Sequence, residues 1–519
     1  MSASIHREWV QMELGDMGKS IFNDLPLSED RAELKKSSIE TALAFEDYQL
    51  LTSLIKTREG LLTVELRRKI WPILMGIKDI NAINHVNLET NRQVDYKTLP
   101  KHKDEDQLKL DVDRSFVFYP REKSDFEISI LREKLMILVT KILRFNPLLN
   151  YYQGYHDIAS IFLLVFKDEN QSFNALEFFT LFSLRDFMLP TIDSSVDHLR
   201  LIPDLLSKID YKFSKLIDSL DPFYSLSSII TLYAHNFTRF QDVCLLWDFI
   251  MVENSIVVSV YFYSSVLIYY KEQILDDLME LSGCSDEKDL ISEKFLMNNK
   301  DIIHSILSGV VSKNLNRENC QSQFFEILQL TLGYLNKFPP SKLNTFNNDI
   351  SSNSVLKTSS IYVPNLSFEQ IESKTKFYTY PFLKKLFKEQ VKENQQKQAD
   401  EKLMKSFSGP SMPSQRLYFL SKFLSSSYHQ KGTNRNSKSI KVRNKNFQLS
   451  TFIFRLSFTI GIGIILKYYF DQHEINFSSN DNFFVIGFQS MNKALRNNGF
   501  NLTGFSLLDV KNCVYRFIK

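Results

Sequence analysis

Residues 128–145 read ISILREKLMILVTKILRF. Apolar side chains fall at Ile128, Leu131, Leu135, Leu138, Val139, Ile142 and Leu143, in steps of three and four that place them on one face of a helix. Strand alternation does not fit this stretch. Pro147 ends it, because the proline ring clashes with a continuing turn. The same period precedes it at Leu50, Leu51, Leu54, Ile55, Leu61, Leu62, Val64, Leu66, Ile70, Ile73 and Leu74. After it, a helix is expected from near Tyr151, carrying Ile158, Ile161, Phe162 and Val165, with further helices around 173–187, 197–219, 224–235, 240–251, 256–280 and 298–313. The polar stretch 84–106 reads as a loop. β-branched runs with tight hairpin turns are scarce, so residues 50–340 are read as one all-α domain.

The chain has 519 residues, room for one large domain with appendages. Its 63 basic and 60 acidic side chains nearly cancel, so nothing global points to nucleic acid. Abundant Phe and sparse Gly suit a helix-rich protein. Cys244, Cys284, Cys320 and Cys513 show no metal-ligand spacing and no disulfide framework, which suits a reducing compartment. Residues 1–49 form a polar N-terminal region with at most a short helix or two; its first twenty residues lack the apolar core of a secretory signal.

After Pro339–Pro340 the composition shifts. Residues 341–365 are rich in Asn, Ser and Thr, 389–416 in charge, Gln and Ser, and 425–446 in Ser, Asn, Lys and Arg. Such stretches bury too little apolar area to offset chain entropy, so 341–448 is read as a polar linker with short helices. The aromatic cluster 378–387 is expected to form a short docking helix.

Residues 449–470 read LSTFIFRLSFTIGIGIILKYYF. As a helix this run reaches about 33 Å, close to a bilayer core. Arg455 interrupts it, at about 2.5–3.5 kcal/mol for a central arginine and less near a surface. Lys431, Arg435, Lys438, Lys441, Arg443 and Lys445 precede it with no acid between 426 and 448, and Tyr468, Tyr469 and Phe470 close it. These flanks favour a transmembrane helix with the N-terminal part in the cytosol and 471–519 as a tail. The competing reading is an amphipathic helix packed on the main domain.

Self-contained catalytic chemistry is not evident. There is no HExxH, zinc-type Cys/His cluster or GxSxG elbow. Gly15-Asp16-Met17-Gly18-Lys19-Ser20 has Glu13 where a phosphate loop needs its first glycine, so the chain is not expected to bind GTP itself. His156 and Asp157 are neighbours, but adjacent helical residues do not face each other, and a packing or capping histidine is the preferred reading.

Three stretches resemble the TBC-domain family of Rab GTPase-activating proteins. Arg67-Arg68-Lys69-Ile70-Trp71-Pro72-Ile73-Leu74 is similar to the family's Arg-xxx-Trp-xx-Leu opening. Leu108 to Phe116, LKLDVDRSF, resembles the IxxDxxR arginine-finger motif with Leu108 in place of Ile. Tyr151-Tyr152-Gln153-Gly154 matches YxQG. Each alone is a weak signal; three in order and at family spacing are strong. Leu184-Arg185-Asp186-Phe187 and Leu246-Trp247-Asp248-Phe249 look like further landmarks. NYYQGYHDI from Asn150, LRDFMLPTID from Leu184 and FPPSKL from Phe338 look closest to a subgroup anchored in the endoplasmic reticulum by a C-terminal transmembrane segment and acting on the Rab (Ypt in yeasts) of endoplasmic reticulum-to-Golgi traffic.

The resemblance implies a multi-helical TBC domain that activates a Rab/Ypt small GTPase in its GTP form. Arg114 would be the finger that stabilises charge on the transferring phosphoryl group, worth roughly 10³–10⁵ in rate. Gln153 would be the second finger, its amide able both to accept from water and to donate. GTP and Mg²⁺ would belong to the partner, with no cofactor of the chain's own. Asp111 lies three residues before Arg114, and on a helix the two share a face, so Asp111 is expected to hold the finger in position. Tyr151 and Gly154 are expected to shape the glutamine loop, and Arg67 and Trp71 to be core residues or to stand one layer behind the site. The alternative is a non-catalytic Rab-binding membrane scaffold, and a third reading is a membrane-tethering protein with no GTP-dependent partner. The expected location is the endoplasmic reticulum or another endomembrane, with the TBC domain facing the cytosol.

Overall fold

The computed structural model describes residues 27–359 and 380–407, apart from short stretches at 78, 82–84, 88–91, 219, 285–289 and 291. The regular elements among them are helices, as expected, save for one two-residue antiparallel pairing, Val86 with Gln93 and Asn87 with Arg92, inside the stretch read as a loop. The decisive helix runs Asp125–Phe145. It begins three residues earlier than its apolar stripe because Ser124 and Glu127 form a reciprocal capping box.

Glu29–Ala44 opens the described chain and packs beside Tyr48–Ile55. Val64–Met75 follows, then Glu105–Asp113, the long Asp125–Phe145, Tyr155–Phe166 and Glu169–Ser183. The second half centres on Phe240–Glu253, Val257–Tyr269 and Gln321–Lys337. Val257–Tyr269 is apolar all round and buried from Val257 to Leu267, the pattern of a central helix. Trp71, Phe162, Phe179 and Trp247 form one cluster of tilted rings, with Trp71 and Trp247 ring centroids 5.9 Å apart. Each such side chain contributes about 1.5–3 kcal/mol on burial.

Asp248 ties the N-terminal landmark to the core. Its carboxylate accepts from Arg67 Nε at 3.1 Å and Nη2 at 2.8 Å, from Trp71 Nε1 at 2.8 Å and from the Leu61 amide at 2.9 Å. Gly60 lets the backbone come this close: at φ +55° a Cβ there would sit 2.4 Å from Asp248 Oδ2. Arg67 and Trp71 are therefore core residues.

Several expected helices differ in extent. The run 197–219 divides into Asp193–Leu199, Leu201–Ile209 and Tyr211–Ile217, the last begun by Asp210, whose side chain accepts from the Phe213 amide. The run 224–235 contracts to Leu226–Ile230 because Leu232 and Tyr233 adopt positive φ. The helix expected from Tyr151 starts at Tyr155, behind Gly154.

The larger difference lies beyond Pro340. Leu343, Ile350, Val355 and Leu356 are buried, so the Asn/Ser/Thr-rich stretch packs on the domain at least to Ser359. The docking helix runs Tyr380–Phe407, well into residues read as linker, and buries Leu383, Phe387 and Val391. Polar composition misled here because the polar side chains are themselves buried and hydrogen-bonded: Gln390 and Asn394 are both 3% exposed. Among the described residues no helix is long and apolar enough to cross a membrane. The run 449–470 and the tail 471–519 lie outside them.

Candidate functional site

Arg114 is the residue on which Glu105–Asp113 ends, its amide bonded back to the Asp111 carbonyl. That end is fixed from two sides. Ser115 Oγ donates to the Asp111 carbonyl at 3.1 Å, and the Ser115 carbonyl accepts from the Arg132 guanidinium at 3.1 Å. The expected pairing across one turn is present. Arg114 Nη2 donates to Asp111 Oδ1 at 2.6 Å, with the arginine side chain 57% exposed and the carboxylate 1% exposed. Asp111 is thus a fixed anchor and Arg114 the movable partner.

The loop 150–154 meets this helix through Tyr151. Its amide donates to Asp104 Oδ2 at 2.9 Å, and its phenol donates to Asp111 Oδ2 at 2.8 Å. Burial and the Asp111 carboxylate raise that phenol far above its ordinary pKa, so it remains a donor. Tyr152 Oη donates to the Ile230 carbonyl at 2.8 Å. Gly154 sits at φ +107°, and a Cβ there would lie 2.6 Å from Thr231 Cγ2. A glycine is required on both counts. Held this way, Gln153 is exposed and its carboxamide has no hydrogen-bond partner among the described residues.

Arg114 and Gln153 line the same open cavity of about 460 Å³, together with Gly154, Tyr119, His156 and His235. Asp111 and Tyr151 stand behind it, one hydrogen bond away. Arg67 and Trp71 do not line it; they brace the fold at Asp248. His156, read as a packing residue, is buried and lies with Nδ1 3.0 Å from Tyr151 Oη and Nε2 3.3 Å from Asp157 Oδ1. The phenolic proton goes to Asp111, so His156 Nδ1 carries the proton that reaches the phenolic oxygen. Burial holds this imidazole below its ordinary pKa, against the pull of Asp157 and Asp111. His235 accompanies it at the cavity, and a 3.1 Å hydrogen bond to Asp157 Oδ2 raises its pKa.

Tyr119, Thr231 and His235 reach the cavity from segments that carry no motif, and a single sequence holds no signal for them. Among the described residues no group of His, Cys, Asp and Glu is placed to hold a metal ion.

Residues 64–275 match the family described as Rab-GTPase-TBC domain. Over these residues the chain is similar to TBC domains. Its arginine, YQG, LRDF and LWDF landmarks all lie within the matched residues. The chain is similar to GTPase-activating protein GYP8 of Saccharomyces cerevisiae, 32% identical over 254 residues that cover 44% of this chain and 49% of the relative. It is similar to TBC1 domain family member 20 of Homo sapiens, 32% identical over 234 residues, 44% of this chain and 55% of the relative. It is also similar to GTPase-activating protein gyp10 of Schizosaccharomyces pombe, 30% identical over 250 residues, 48% of this chain and 64% of the relative. The similarity thus spans less than two thirds of each of these relatives.

Proposed function

We propose that this protein activates a Rab/Ypt small GTPase in its GTP form, with Arg114 and Gln153 supplied in trans to the nucleotide. The observation that carries this reading is their convergence: one guanidinium and one unengaged carboxamide line a single open cavity within the TBC-like region. GTP hydrolysis places charge on the transferring phosphoryl group, and an inserted arginine is worth roughly 10³–10⁵ in rate, or about 4–7 kcal/mol. The Arg114–Asp111 pair does not compete with that. The guanidinium end of the pair is 57% exposed, so solvent screens the attraction and the arginine can swing from Asp111 to phosphate. A planar fork of donors suits phosphate oxygens better than a lysine ammonium. Gln153 can accept from the attacking water and donate toward the phosphate, replacing a glutamine of the GTPase. GTP and Mg²⁺ are the partner's.

We further propose that residues 449–470 anchor the chain in the endoplasmic reticulum or another endomembrane, with the TBC domain in the cytosol, and that the GTPase serves endoplasmic reticulum-to-Golgi traffic. The apolar length and the basic flank support this. Deleting 449–519 should release the protein from membranes; a full-length chain found only in the soluble fraction would end the anchor reading.

Phosphate release from a panel of GTP-loaded Rab/Ypt proteins tests the activity. At least one member should hydrolyse faster with catalytic amounts of the protein. Binding without acceleration would favour the scaffold, and no GTP-dependent binding would remove both.

A further inference from the structure

We propose that Gln390, on the Tyr380–Phe407 helix, is a positioning residue for the glutamine loop, so that the region C-terminal to the TBC domain sets how firmly Gln153 is held. This rests on the GTPase-activating reading above. Several hydrogen bonds tie the loop 150–154 down. Tyr151 reaches Asp104, Asp111 and His156, Tyr152 reaches Ile230, and Lys103 Nζ donates to Asn150 Oδ1. A further tie runs to the 3-10 turn Arg185–Met188: the Asn150 amide donates to the Met188 carbonyl at 2.9 Å and Asn150 Nδ2 at 3.3 Å. The Phe187 and Tyr152 rings meet edge-on in the same place.

A four-residue 3-10 turn has little stability of its own. Its position is set by Arg185 and Asp186, both buried. Gln390 clasps the two: its Oε1 accepts from Arg185 Nε at 2.8 Å, and its Nε2 donates to Asp186 Oδ1 at 2.7 Å. Only an amide offers an acceptor to the cation and a donor to the anion in one side chain of this length. Residues 353–359 complete the grip. Ser359 Oγ accepts from Arg185 Nη1, and Ser354 Oγ and the Val355 amide donate to Asp186. The path is therefore short and unbroken: Gln390, Arg185–Asp186, Met188, Asn150, then Gln153 three residues on. Arg185 also donates to the Leu181 and Phe182 carbonyls and Asp186 also pairs with His198, so without the clasp each buried charge keeps partners but loses one, and the turn is held less firmly.

The test uses the full-length chain with Gln390→Met, which keeps length and loses both polar ends. Hydrogen exchange at the Asn150 amide should quicken at least about tenfold while helices remote from the turn keep their protection. Stimulated hydrolysis should fall about tenfold in kcat with KM for the GTPase nearly unchanged, and in a Gln153→Ala background the further loss should shrink below about twofold. Unchanged exchange at Asn150, or the same fold-loss with and without Gln153, would overturn the proposal. If Gln390→Met does not fold, Gln390→Asn, one methylene shorter and able to reach one partner only, is read the same way. Should the wild-type chain accelerate no GTPase, the functional reading fails, and the exchange measurement still decides whether Gln390 braces the loop.

Discussion

Tyr151 Oη donates to Asp111 Oδ2 at 2.8 Å, joining the loop that presents Gln153 to the helix end that presents Arg114. The two proposed fingers are 39 positions apart in sequence, yet this bond, with the one from the Tyr151 amide to Asp104, joins their supports. Tyr151→Phe removes this tie and leaves a buried carboxylate short of a donor, at about 1–3 kcal/mol. Urea denaturation should show a loss of that size, and stimulated hydrolysis should fall with the fold intact. Wild-type stability and rate together in Tyr151→Phe would deny the tie any role.

Gly154→Ala meets two separate penalties, the positive φ and the 2.6 Å approach to Thr231 Cγ2. Backbone strain alone costs about 1–3 kcal/mol. Adding Thr231→Ser removes the crowding methyl and should restore part of the stability, leaving the conformational share. Denaturation midpoints of the single and double variants measure this. Full recovery in the double variant would show that φ carries no cost here.

Much of this site is legible in the sequence because it depends on short-range spacing. Asp111 and Arg114 pair because three positions on a helix make neighbours. Gly154 announces itself through YQG, and the Ile128–Leu143 stripe shows which face of its helix is buried. What spacing does not encode is the meeting of distant segments. Tyr119, Thr231 and His235 reach the cavity through tertiary contacts, Tyr152 bonding the Ile230 carbonyl and Tyr119 the Ala234 carbonyl. The C-terminal region misled for a related reason. Hydrophobicity argues for burial, but Gln390 and Asn394 are buried through hydrogen bonds whose partners lie some 200 positions away, and composition is blind to such partners.

His156 gives the site a pH dependence whose sign follows from its lowered pKa. An unfolded histidine titrates near 6.5, and in the folded chain His156 takes its proton only at lower pH. Its contribution to stability is complete above 6.5 and is lost as pH falls from there toward the folded value. His235 runs the other way: raised by Asp157, it adds stability at low pH and loses it as pH rises through its raised value, but its exposure to solvent screens the effect. Urea midpoints should therefore drop as pH falls below about 6.5, and His156→Asn should flatten part of that drop. An equal drop in the variant would assign the titration elsewhere.

The central claim is that Arg114 acts on another protein's nucleotide, and single-turnover GTP hydrolysis by a responsive Rab/Ypt protein tests it most directly. With Arg114→Ala in place of the wild-type chain, stimulated hydrolysis should fall by at least about 10²–10³-fold. The variant should stay folded, with a stability loss of about 1–3 kcal/mol because the buried Asp111 carboxylate loses a donor. Arg114→Lys should recover little of the rate, for want of the planar fork. Near-wild-type stimulation by a folded Arg114→Ala protein would contradict the account.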